Sequence, residues 1–467
     1  MGALAAPVFC SHPSVMTLLS CLPKHLHRSL FFVPGAMALA TATLLAGCPD
    51  DITPSGSSST TGDPPDSGKP DVSPPSGTFC KLPGAVIFDA AGQHVVPGGG
   101  TQPDLTWLKL PEGFCAHYFA NVPNARQLRF APGGELFVAS PVTATTGGGP
   151  NGLAGIAVLP DDDKDGLADG VGLYLGGVES TQGMLFANDS FYYQESTRIR
   201  RLPYKTGDRK AVKPGDVVVD IQVYTSSLHW PKTLDIADDG TIYVANGGDQ
   251  GEACDPLRPF HGGILKIDGT PGGAQVAKGY RNPISVRCQR GHNNCFASEL
   301  ALDYSEAQGG REKLVPIHAG DDIGFPCCAS KDVPYSNVVP TPDCSKVASE
   351  SGSFVIGDTP FDIEFDLGAW PEPWKSHVFL PLHGEFGSWK GSRMVAIGTD
   401  PNTGLALPAT DLMGHPTESM KDFATGWDDG KKEHGRPAAV AMSADGRLFL
   451  GNDVNGDIFW IAPFDAE

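Results

Sequence analysis

Short apolar stretches recur along most of the chain, and each is followed by a turn rich in Gly, Asp or Asn and then by a second apolar stretch. This pattern is typical of antiparallel β-hairpins. The six copies lie at residues 128–139, 184–193, 234–245, 284–297, 363–382 and 440–451. They begin about 50–80 residues apart, a spacing that suits four-stranded propeller blades with some long loops. The sequence therefore predicts an all-β fold, a six-bladed β-propeller of four-stranded antiparallel blades.

Composition agrees with this prediction and excludes several other classes of protein. Gly (58) and Pro (41) make up roughly a fifth of the 467 residues, compared with about an eighth in an average protein. Because both residues interrupt helices, a mainly helical fold is excluded. The hydrophobic fraction of 40% is enough for a large core, which excludes disorder throughout the chain. The formal net charge of −20 argues against nucleic acid or an anionic membrane surface as a partner.

The first 47 residues contain no acid and have the order of an export signal. Lys24 and Arg28 precede an apolar run at residues 29–46, and the run ends in small residues. Residues 45–48 (LAGC) resemble the bacterial lipoprotein cleavage box, which implies that Cys48 becomes the lipidated first residue. We therefore predict a lipid-anchored protein of the bacterial cell envelope, in the periplasm, the outer membrane or the cell surface. The alternative is an ordinary signal peptide with a chance cysteine.

The segment after this signal is rich in Ser, Thr, Pro, Gly and Asp and has few apolar side chains. Such a segment cannot bury enough apolar surface to offset the conformational entropy that ordering would cost. The predicted organisation is therefore a lipoprotein signal peptide at residues 1–47, a flexible tether at residues 48–79 and a propeller at residues 80–467.

Eight cysteines remain after the predicted signal and its lipidated cysteine are set aside. They are Cys80, Cys115, Cys254, Cys288, Cys295, Cys327, Cys328 and Cys344. An even number suits four disulfides in an oxidising compartment. A zinc site is disfavoured, because no two of these cysteines have the usual two-residue spacing. The expected pairs are Cys288 with Cys295, Cys80 with Cys115, Cys344 with one of Cys327 and Cys328, and Cys254 with the other, but sequence does not fix the connectivity.

Several short segments follow one another in a fixed order along the predicted propeller. They are residues 111–114 (PEGF), 124–138 (NARQLRFAPGGELFV), 229–234 (HWPKTL), 279–283 (GYRNP), 320–326 (GDDIGFP), 383–389 (HGEFGSW), 435–437 (GRP) and 452–453 (ND). Together they resemble segments of the soluble quinoprotein glucose and sorbosone dehydrogenases, six-bladed propellers that use pyrroloquinoline quinone (PQQ). The HGEFGSW segment departs from the family pattern by two inserted residues. The resemblance implies oxidation of a sugar hydroxyl at a bound quinone.

The resemblance also implies roles for three polar residues. Transfer of a hydride from carbon requires a base that takes the hydroxyl proton, and histidine suits that role. His229 matches the catalytic histidine of the family, while Arg281 and Asn282 match the pair that reaches the polar edge of the cofactor. Arg281 also counts as catalytic, since charge increases on the quinone oxygen as the hydride arrives. The alternatives are a structural loop histidine and an Arg-Asn pair that caps a turn.

Other contacts to the cofactor match the family less closely. Arg436 matches an arginine in the closing segment of the sorbosone branch and is predicted to hold a cofactor carboxylate. His383 is a candidate cofactor contact at a position where the glucose branch has a lysine, and Lys390 is an alternative source of that missing charge. Trp230 and Trp389 are the tryptophans expected to stack on a sugar.

An acidic segment near the start of the propeller has the spacing of a calcium loop. Acids occupy its positions one, three, five and nine, namely Asp161, Asp163, Asp165 and Asp169. Gly166 stands at position six, where such loops turn sharply, but Gly172 replaces the usual Glu at position twelve. A second candidate is the GDDIG segment, through Asp321 and Asp322. In both cases the alternative is an acidic turn without an ion.

These observations favour a quinoprotein dehydrogenase of an aldose or related polyol that uses PQQ and calcium and passes electrons to a respiratory acceptor. One alternative is a propeller lipoprotein without the quinone that binds carbohydrate or protein. Another is a calcium-dependent lactonase, which is disfavoured because the sequence shows no evident buried acid cluster. The sequence also lacks a phosphate-binding glycine loop and the Gly-x-Ser-x-Gly motif of common hydrolases.

Overall fold

The structure is a computed structural model that describes residues 79–464, apart from 143–150, 222–228, 249–253, 255–261, 302–305, 367, 386, 412–414 and 430. The predicted signal peptide, the predicted lipidation site Cys48 and nearly all of the predicted tether lie outside the described residues. None of the helices in the described part of the chain has the length and hydrophobicity of a membrane span.

The described residues form β-strands and three short 3-10 helices. The helices are η1 (Phe79–Lys81), η2 (Glu306–Gln308) and η3 (Lys432–His434). The first strands, β1 (Val86–Asp89) and β2 (Gly92–Val95), form an antiparallel hairpin, and β3 (Phe114–Asn121) follows it.

Blades 1 to 3 each consist of four consecutive antiparallel strands. Blade 1 contains β4 (Gln127–Phe130), β5 (Leu136–Ser140), β6 (Gly155–Leu159) and β7 (Gly172–Gly176). Blade 2 contains β8 (Met184–Ala187), β9 (Ser190–Glu195), β10 (Arg198–Pro203) and β11 (Asp216–Asp220). Blade 3 contains β12 (Leu234–Ile236), β13 (Ile242–Asn246), β14 (Gly263–Lys266) and β15 (Ala274–Lys278).

Blade 4 differs from the first three by an insertion before its outermost strand. Its inner strands are β16 (Asn282–Gln289), β17 (Asn294–Leu300) and β18 (Glu312–Pro316). A small hairpin of β19 (Cys328–Ser330) and β20 (Val333–Pro334) follows, and β21 (Gly352–Phe354) completes the blade. Blade 5 contains β22 (Glu364–Phe365), β23 (His377–Leu382), β24 (Arg393–Gly398) and β25 (Met420–Ala424).

Blade 6 closes the ring with strands from both ends of the propeller. Its inner strands are β26 (Pro437–Met442), β27 (Leu448–Asn452) and β28 (Asp457–Pro463). The fourth is β3, which pairs with β28 from Asn121 opposite Asp457 to Phe114 opposite Pro463. The β1–β2 hairpin extends this sheet to six strands. The predicted six-bladed propeller is therefore confirmed, and the six predicted hairpins are the first two strands of the six blades.

Four disulfides link the eight cysteines that the sequence analysis singled out. The pairs are Cys80–Cys115, Cys254–Cys327, Cys288–Cys295 and Cys328–Cys344. Two of these bonds hold the insertion that contains β19 and β20. The sequence left open which of Cys327 and Cys328 pairs with Cys344. In the structure Cys344 pairs with Cys328, and Cys254 pairs with Cys327.

Buried charged side chains join neighbouring blades near the centre of the ring. Asp235 of blade 3 accepts a hydrogen bond from the backbone N–H of Cys288 in blade 4, at 2.9 Å. Glu364 of blade 5 accepts one from the backbone N–H of Met442 in blade 6, at 3.2 Å. Arg287 of blade 4 forms ion pairs with both acids, at 3.6 Å to Asp235 and more closely to Glu364. These contacts therefore join blade 3 to blade 4, blade 4 to blade 5 and blade 5 to blade 6.

Removal of Arg287 is expected to leave the buried Glu364 without its ion pair and Asp235, among the described residues, with only Arg290, at 3.6 Å. An Arg287→Met variant should lose about 3–5 kcal/mol in free energy of unfolding, the typical cost of breaking a buried ion pair. The matched control is Arg198→Met, which removes an exposed ion pair with Asp220 and should cost about 1 kcal/mol or less. Urea unfolding measures both values, and equal losses would contradict the role given to Arg287.

Candidate functional site

The predicted catalytic and cofactor-binding residues meet at one face of the propeller, which we call the upper face. There the first strand of each blade begins and the second strand ends, because neighbouring strands are antiparallel. His229 precedes the first strand of blade 3, and Arg281 and Asn282 lie at the start of blade 4. His383 follows the second strand of blade 5, and Arg436 precedes the first strand of blade 6. The fold thus collects residues that are spread over about 200 positions of sequence.

Two glycines at the end of β13 bring His229 beside the Arg281–Asn282 segment. A Cβ atom on Gly247 would lie 2.5 Å from His229 Cβ and 3.1 Å from Asn282 Oδ1, so no larger residue fits between them. Gly248 then joins the two segments through its peptide groups. Its carbonyl lies 2.8 Å from His229 Nδ1, and its N–H donates to the carbonyl of Arg281, also at 2.8 Å.

The contact with Gly248 decides which nitrogen of His229 can act as a base. A carbonyl oxygen only accepts hydrogen bonds, so Nδ1 of the neutral ring carries the hydrogen. The basic lone pair is then on Nε2. The ring is almost fully buried, with the residue 2% exposed. His229 is therefore held in the tautomer that a general base requires, by a partner that cannot itself take up the proton.

Glu299 supports the Arg281–Asn282 segment from the second strand of blade 4. Its Oε1 accepts a hydrogen bond from the backbone N–H of Arg281 at 2.8 Å, and its Oε2 has no hydrogen-bond partner in the described structure. Burial raises the pKa of this carboxyl group to about 7. Glu299 was not among the predicted site residues, although an acid inside an otherwise uncharged, largely buried strand (NCFASEL) is a signal that could have indicated it.

Asp453, at the end of β27, organises the other half of the site. It lies 2.9 Å from Arg126 Nη1 of blade 1 and 3.0 Å from His383 Nε2 of blade 5. Burial opposes the ionisation of Asp453, but His383, Arg126 and Arg436 together hold its pKa well below the ordinary value. Burial and the charge of Arg436 lower the pKa of His383 to about 4. His383 is therefore neutral near pH 7 and donates its Nε2–H to an ionised Asp453.

Arg436 and Phe361 complete this half of the site. The guanidinium of Arg436 donates to the carbonyl oxygens of His383, at 2.9 Å, and of Gly384. The ring of Phe361 lies 4.3 Å from the guanidinium of Arg126 and 4.4 Å from the ring of His383. Phe361 also packs in one apolar cluster with Ile284 of blade 4. It thus connects the Asp453 group with the Arg281–Asn282 segment.

Several buried polar atoms of the upper face lack hydrogen-bond partners among the residues that the structure describes. They are Asn282 Oδ1, Lys232 Nζ and both side-chain polar atoms of Asn246. Lys232 is part of the HWPKTL segment, but its role was not predicted. The face also gathers Arg126, Arg281 and Arg436 in a protein whose net charge is −20. The ammonium, guanidinium and amide N–H donors suit a small ligand with carboxylate and carbonyl groups, and the amide oxygens suit its hydroxyl or N–H groups, because buried polar groups are costly unless they are hydrogen-bonded.

The predicted calcium loop lies at the opposite face, because it connects β6, which runs away from the upper face, to β7. Three of its carboxylates have oxygens within 4.8 Å of one another, those of Asp161, Asp163 and Asp165. Asp161 is also 3.3 Å from Arg447, and Asp169 accepts a hydrogen bond from the backbone N–H of Asp162 at 2.6 Å. Three of the four predicted ligands therefore converge, at a distance from His229 and with an arginine beside one of them.

The second metal candidate lies close to the upper face. Asp322 pairs with the backbone of Lys278 at the end of β15, and its carboxylate is 3.2 Å from the ammonium of Lys278. Asp321 lies 3.1 Å from His318 Nδ1. Gly279 has a φ of 77°, and a Cβ there would lie 2.2 Å from Asp322 Oδ1. The GDDIG segment therefore packs against Gly279, which lies two residues before Arg281 in the sequence. Both carboxylates of the segment already have polar partners.

The structure places the predicted sugar-stacking tryptophans inside the protein. Trp230 and Trp389 are 7% and 4% exposed, and the indole N–H of Trp389 donates to the carbonyl of Gly435 at 2.9 Å. Both rings therefore pack against protein atoms rather than present an open face. Lys390 is exposed and is not among the buried charges of the upper face.

Comparisons with known proteins agree with the fold and identify similar solved structures. The family described as "Domain of unknown function (DUF7133)" matches residues 101–304, less than half of the chain. No curated protein matches the chain.

Solved structures match over about three quarters of the chain. The PQQ domain of pyranose dehydrogenase from Coprinopsis cinerea, in its holo form, has a TM-score of 0.63 at 16% identity, covering 78% of this chain and 98% of that one. A Trichoderma reesei protein of Carbohydrate-Active Enzymes Family AA12 has a TM-score of 0.62 at 16% identity, covering 78% and 99%. The apo form of the soluble aldose sugar dehydrogenase from Escherichia coli has 0.52 at 11%, covering 75% and 99%. The resemblance to the glucose and sorbosone dehydrogenases is thus confirmed at the level of the fold.

The buried carboxyl group of Glu299 predicts a pH-dependent difference in stability. The pKa of Glu299 in the fold lies above the ordinary value of 4.5, so the contribution of this carboxyl group to the stability of the wild type decreases as pH rises from about 4.5 to 7. A Glu299→Gln variant has no carboxyl group to ionise and does not show this decrease. Its free energy of unfolding relative to wild type should therefore increase by up to about 3 kcal/mol between pH 4.5 and 8.

Urea unfolding at several pH values measures this difference. The control is a variant of the exposed Glu418, Glu418→Gln, for which the difference from wild type should not change with pH. A pH-independent difference for Glu299→Gln would show that the buried carboxyl does not titrate as the structure indicates.

Proposed function

We propose that the protein is a PQQ-dependent dehydrogenase of an aldose or related polyol. The observation that carries this proposal is the arrangement at the upper face, where the basic nitrogen of His229 is Nε2. Buried arginines lie at the same face, with amide atoms of Asn246 and Asn282 that have no partner among the described residues. The solved structures with the same fold include the PQQ domain of a pyranose dehydrogenase and an aldose sugar dehydrogenase, which supports this choice of chemistry.

The donor set of the upper face fits the proposed cofactor. The quinone carries three carboxylates and carbonyl oxygens, and when bound it would supply the hydride acceptor. Arg281 and Arg436 would provide fixed positive charge. The amide oxygen of Asn282, which has no partner among the described residues, would accept a hydrogen bond from an N–H or hydroxyl group of the bound ligand. Asp453 is bound to Arg126 and His383, so its negative charge offsets part of the positive charge of the arginines. It does not contact Asn282 in these hydrogen bonds, so the amide of Asn282 stays available to a ligand.

His229 would take the proton of the substrate hydroxyl on Nε2. The contact between Nδ1 and the Gly248 carbonyl would stabilise the ring as it becomes positively charged, because a carbonyl dipole favours a cationic donor. Arg281 is anchored through its backbone N–H to Glu299 and through Nη1 to the carbonyl of Ala301, at 2.6 Å. This second anchor fixes the position of the guanidinium, so that it need not reorganise during the reaction.

Replacement of His229 tests the proposed function directly. In His229→Asn the amide N–H can still donate to Gly248, but the base is lost, so kcat should fall about 10²–10⁴-fold. Binding of PQQ should change only slightly. Dye reduction with a panel of aldoses, with PQQ and calcium present, measures the effect on protein without residues 1–48.

The control variant is His94→Asn, which changes an exposed histidine on β2 and should retain wild-type activity. Full activity of His229→Asn would remove His229 from the mechanism. If the wild type neither binds PQQ nor reduces dye with any sugar of the panel, the proposed function is wrong.

We also propose that the protein binds calcium, at the Asp161 loop or at the GDDIG segment. The converging oxygens of Asp161, Asp163 and Asp165 support the first site, and the position of Asp322 near Arg281 supports the second. A calcium structure of the Trichoderma reesei AA12 protein is among the similar solved structures.

Calcium binding should raise the free energy of unfolding by about 2.7 kcal/mol when calcium is a hundredfold above its Kd. Asp165→Asn should abolish this gain if the first loop binds the ion, and Asp322→Asn should abolish it if the second does. Thermal unfolding with and without calcium distinguishes the two sites. Unchanged stability of the wild type on addition of calcium would overturn the calcium proposal.

We propose, finally, that the propeller is tethered to a membrane of the bacterial envelope through lipidated Cys48 and passes electrons to a respiratory acceptor. The LAGC segment and the polar composition of residues 48–79 support this arrangement. A tether of this length would let the upper face approach a membrane-bound acceptor. Mass spectrometry of the mature N-terminus would reveal the lipid.

A further inference from the structure

Lys232 carries a buried ammonium group that has no polar partner among the residues the structure describes. The residue is 0% exposed, and among the described residues no carboxylate lies within ion-pair distance of its Nζ and no acceptor is hydrogen-bonded to it. Its backbone, in contrast, is fixed by blade 2. The N–H donates to Gln194 Oε1 at 3.0 Å, and a Cβ on Gly183 would lie only 1.9 Å from the Lys232 carbonyl. The position of this lysine is therefore determined, but its charge is uncompensated.

Asn246 is the last residue of β13, and Lys232 lies two residues before β12 begins. The register pairs Leu234 with Val244, the hydrogen bond from Ala245 N–H to the Thr233 carbonyl extends it by one residue, and one further step of the same register places Asn246 opposite Lys232. Residues opposite one another in an antiparallel pair project their side chains on the same side of the sheet. Asn246 is 1% exposed, and neither its Oδ1 nor its Nδ2 has a hydrogen-bond partner in the described structure. Within the described part of the chain, the two side chains thus have all their polar atoms unsatisfied.

This pair is unlike the structural charges elsewhere in the propeller. Arg287 and Asp453, which are also buried, each contact groups of opposite charge. A buried charge without such a partner opposes folding, since it loses its hydration and gains nothing in return. An amine with an adjacent amide is the donor set that recognises a carboxylate. The pair also lies beside the catalytic candidate, because Asn246 precedes Gly247, which contacts His229.

We propose that Lys232 and Asn246 form a carboxylate-binding site at the upper face, between blades 2 and 3. The inference rests on the proposed function, under which the carboxylate is one of those on PQQ. Among the candidate cations named above, His383 is already bound to Asp453 and Lys390 is exposed, whereas Lys232 is buried at the start of blade 3.

Replacement of Lys232 should have opposite effects on the stability of the ligand-free protein and on the binding of PQQ. In Lys232→Met the ligand-free protein should have a higher melting temperature than wild type, because an apolar side chain replaces an unpaired ammonium of similar size. The same variant should bind PQQ about 10- to 100-fold more weakly, the range expected when a hydrogen-bonded charge is lost. Asn246→Leu should weaken PQQ binding by a smaller factor. Fluorescence titration with PQQ and thermal unfolding without it give the two values.

The matched control is Lys210→Met, which removes an exposed lysine and should change neither value. If Lys232→Met lowers the melting temperature and leaves the Kd for PQQ unchanged, Lys232 is structural and the inference is overturned. A second titration uses glucuronate, with glucose as the neutral reference. Wild type that binds glucuronate but not PQQ, with binding lost in Lys232→Met, would support the carboxylate site and overturn the proposed function. Wild type that binds neither ligand would overturn both.

Discussion

The propeller depends on buried ionic contacts that connect the first strands of the blades around its axis. Some of these strands are very short, with three residues in β12 and two in β22, so backbone hydrogen bonds alone hold them weakly. Acidic side chains compensate by accepting hydrogen bonds from the next blade. Asp362 is an example, because it accepts from Ser285 at 2.7 Å and from the backbone N–H of Val440 at 3.2 Å, and it lies 3.8 Å from Arg129 of blade 1. Each such acid thus fixes the angle between blades.

This constraint explains why a site can form at the upper face. A propeller offers six strand beginnings and six strand ends at one face, and their side chains converge only if the blades keep a fixed spacing. His229 and Asn282 come from adjacent blades, yet both contact Gly247, where there is no room for a Cβ. Asp453 contacts residues of blades 1 and 5 from blade 6. The ionic contacts at the axis therefore help to hold the residues of the upper face in their relative positions.

The upper face also differs in kind from the ionic contacts beneath it. At the axis, Arg287, Asp235 and Glu364 pair with one another. At the upper face, Lys232, Asn246 and Asn282 keep polar atoms that have no partners among the described residues, which costs stability. Proteins tolerate such cost where a ligand provides the missing contacts. The difference separates residues that build the propeller from residues that are poised to bind.

The sequence by itself determined the repeat, the blade number and the even set of cysteines, because hairpins and their turns are local patterns that alternation and glycine reveal. It also indicated His229, Arg281 and Arg436, through short segments that resemble a family. Only the tertiary structure decided that Cys254 pairs with Cys327, that His383 is bound to Asp453 and that Lys232 has no polar partner within the described residues. These features depend on which distant residues face one another across blades, and no local pattern specifies such contacts.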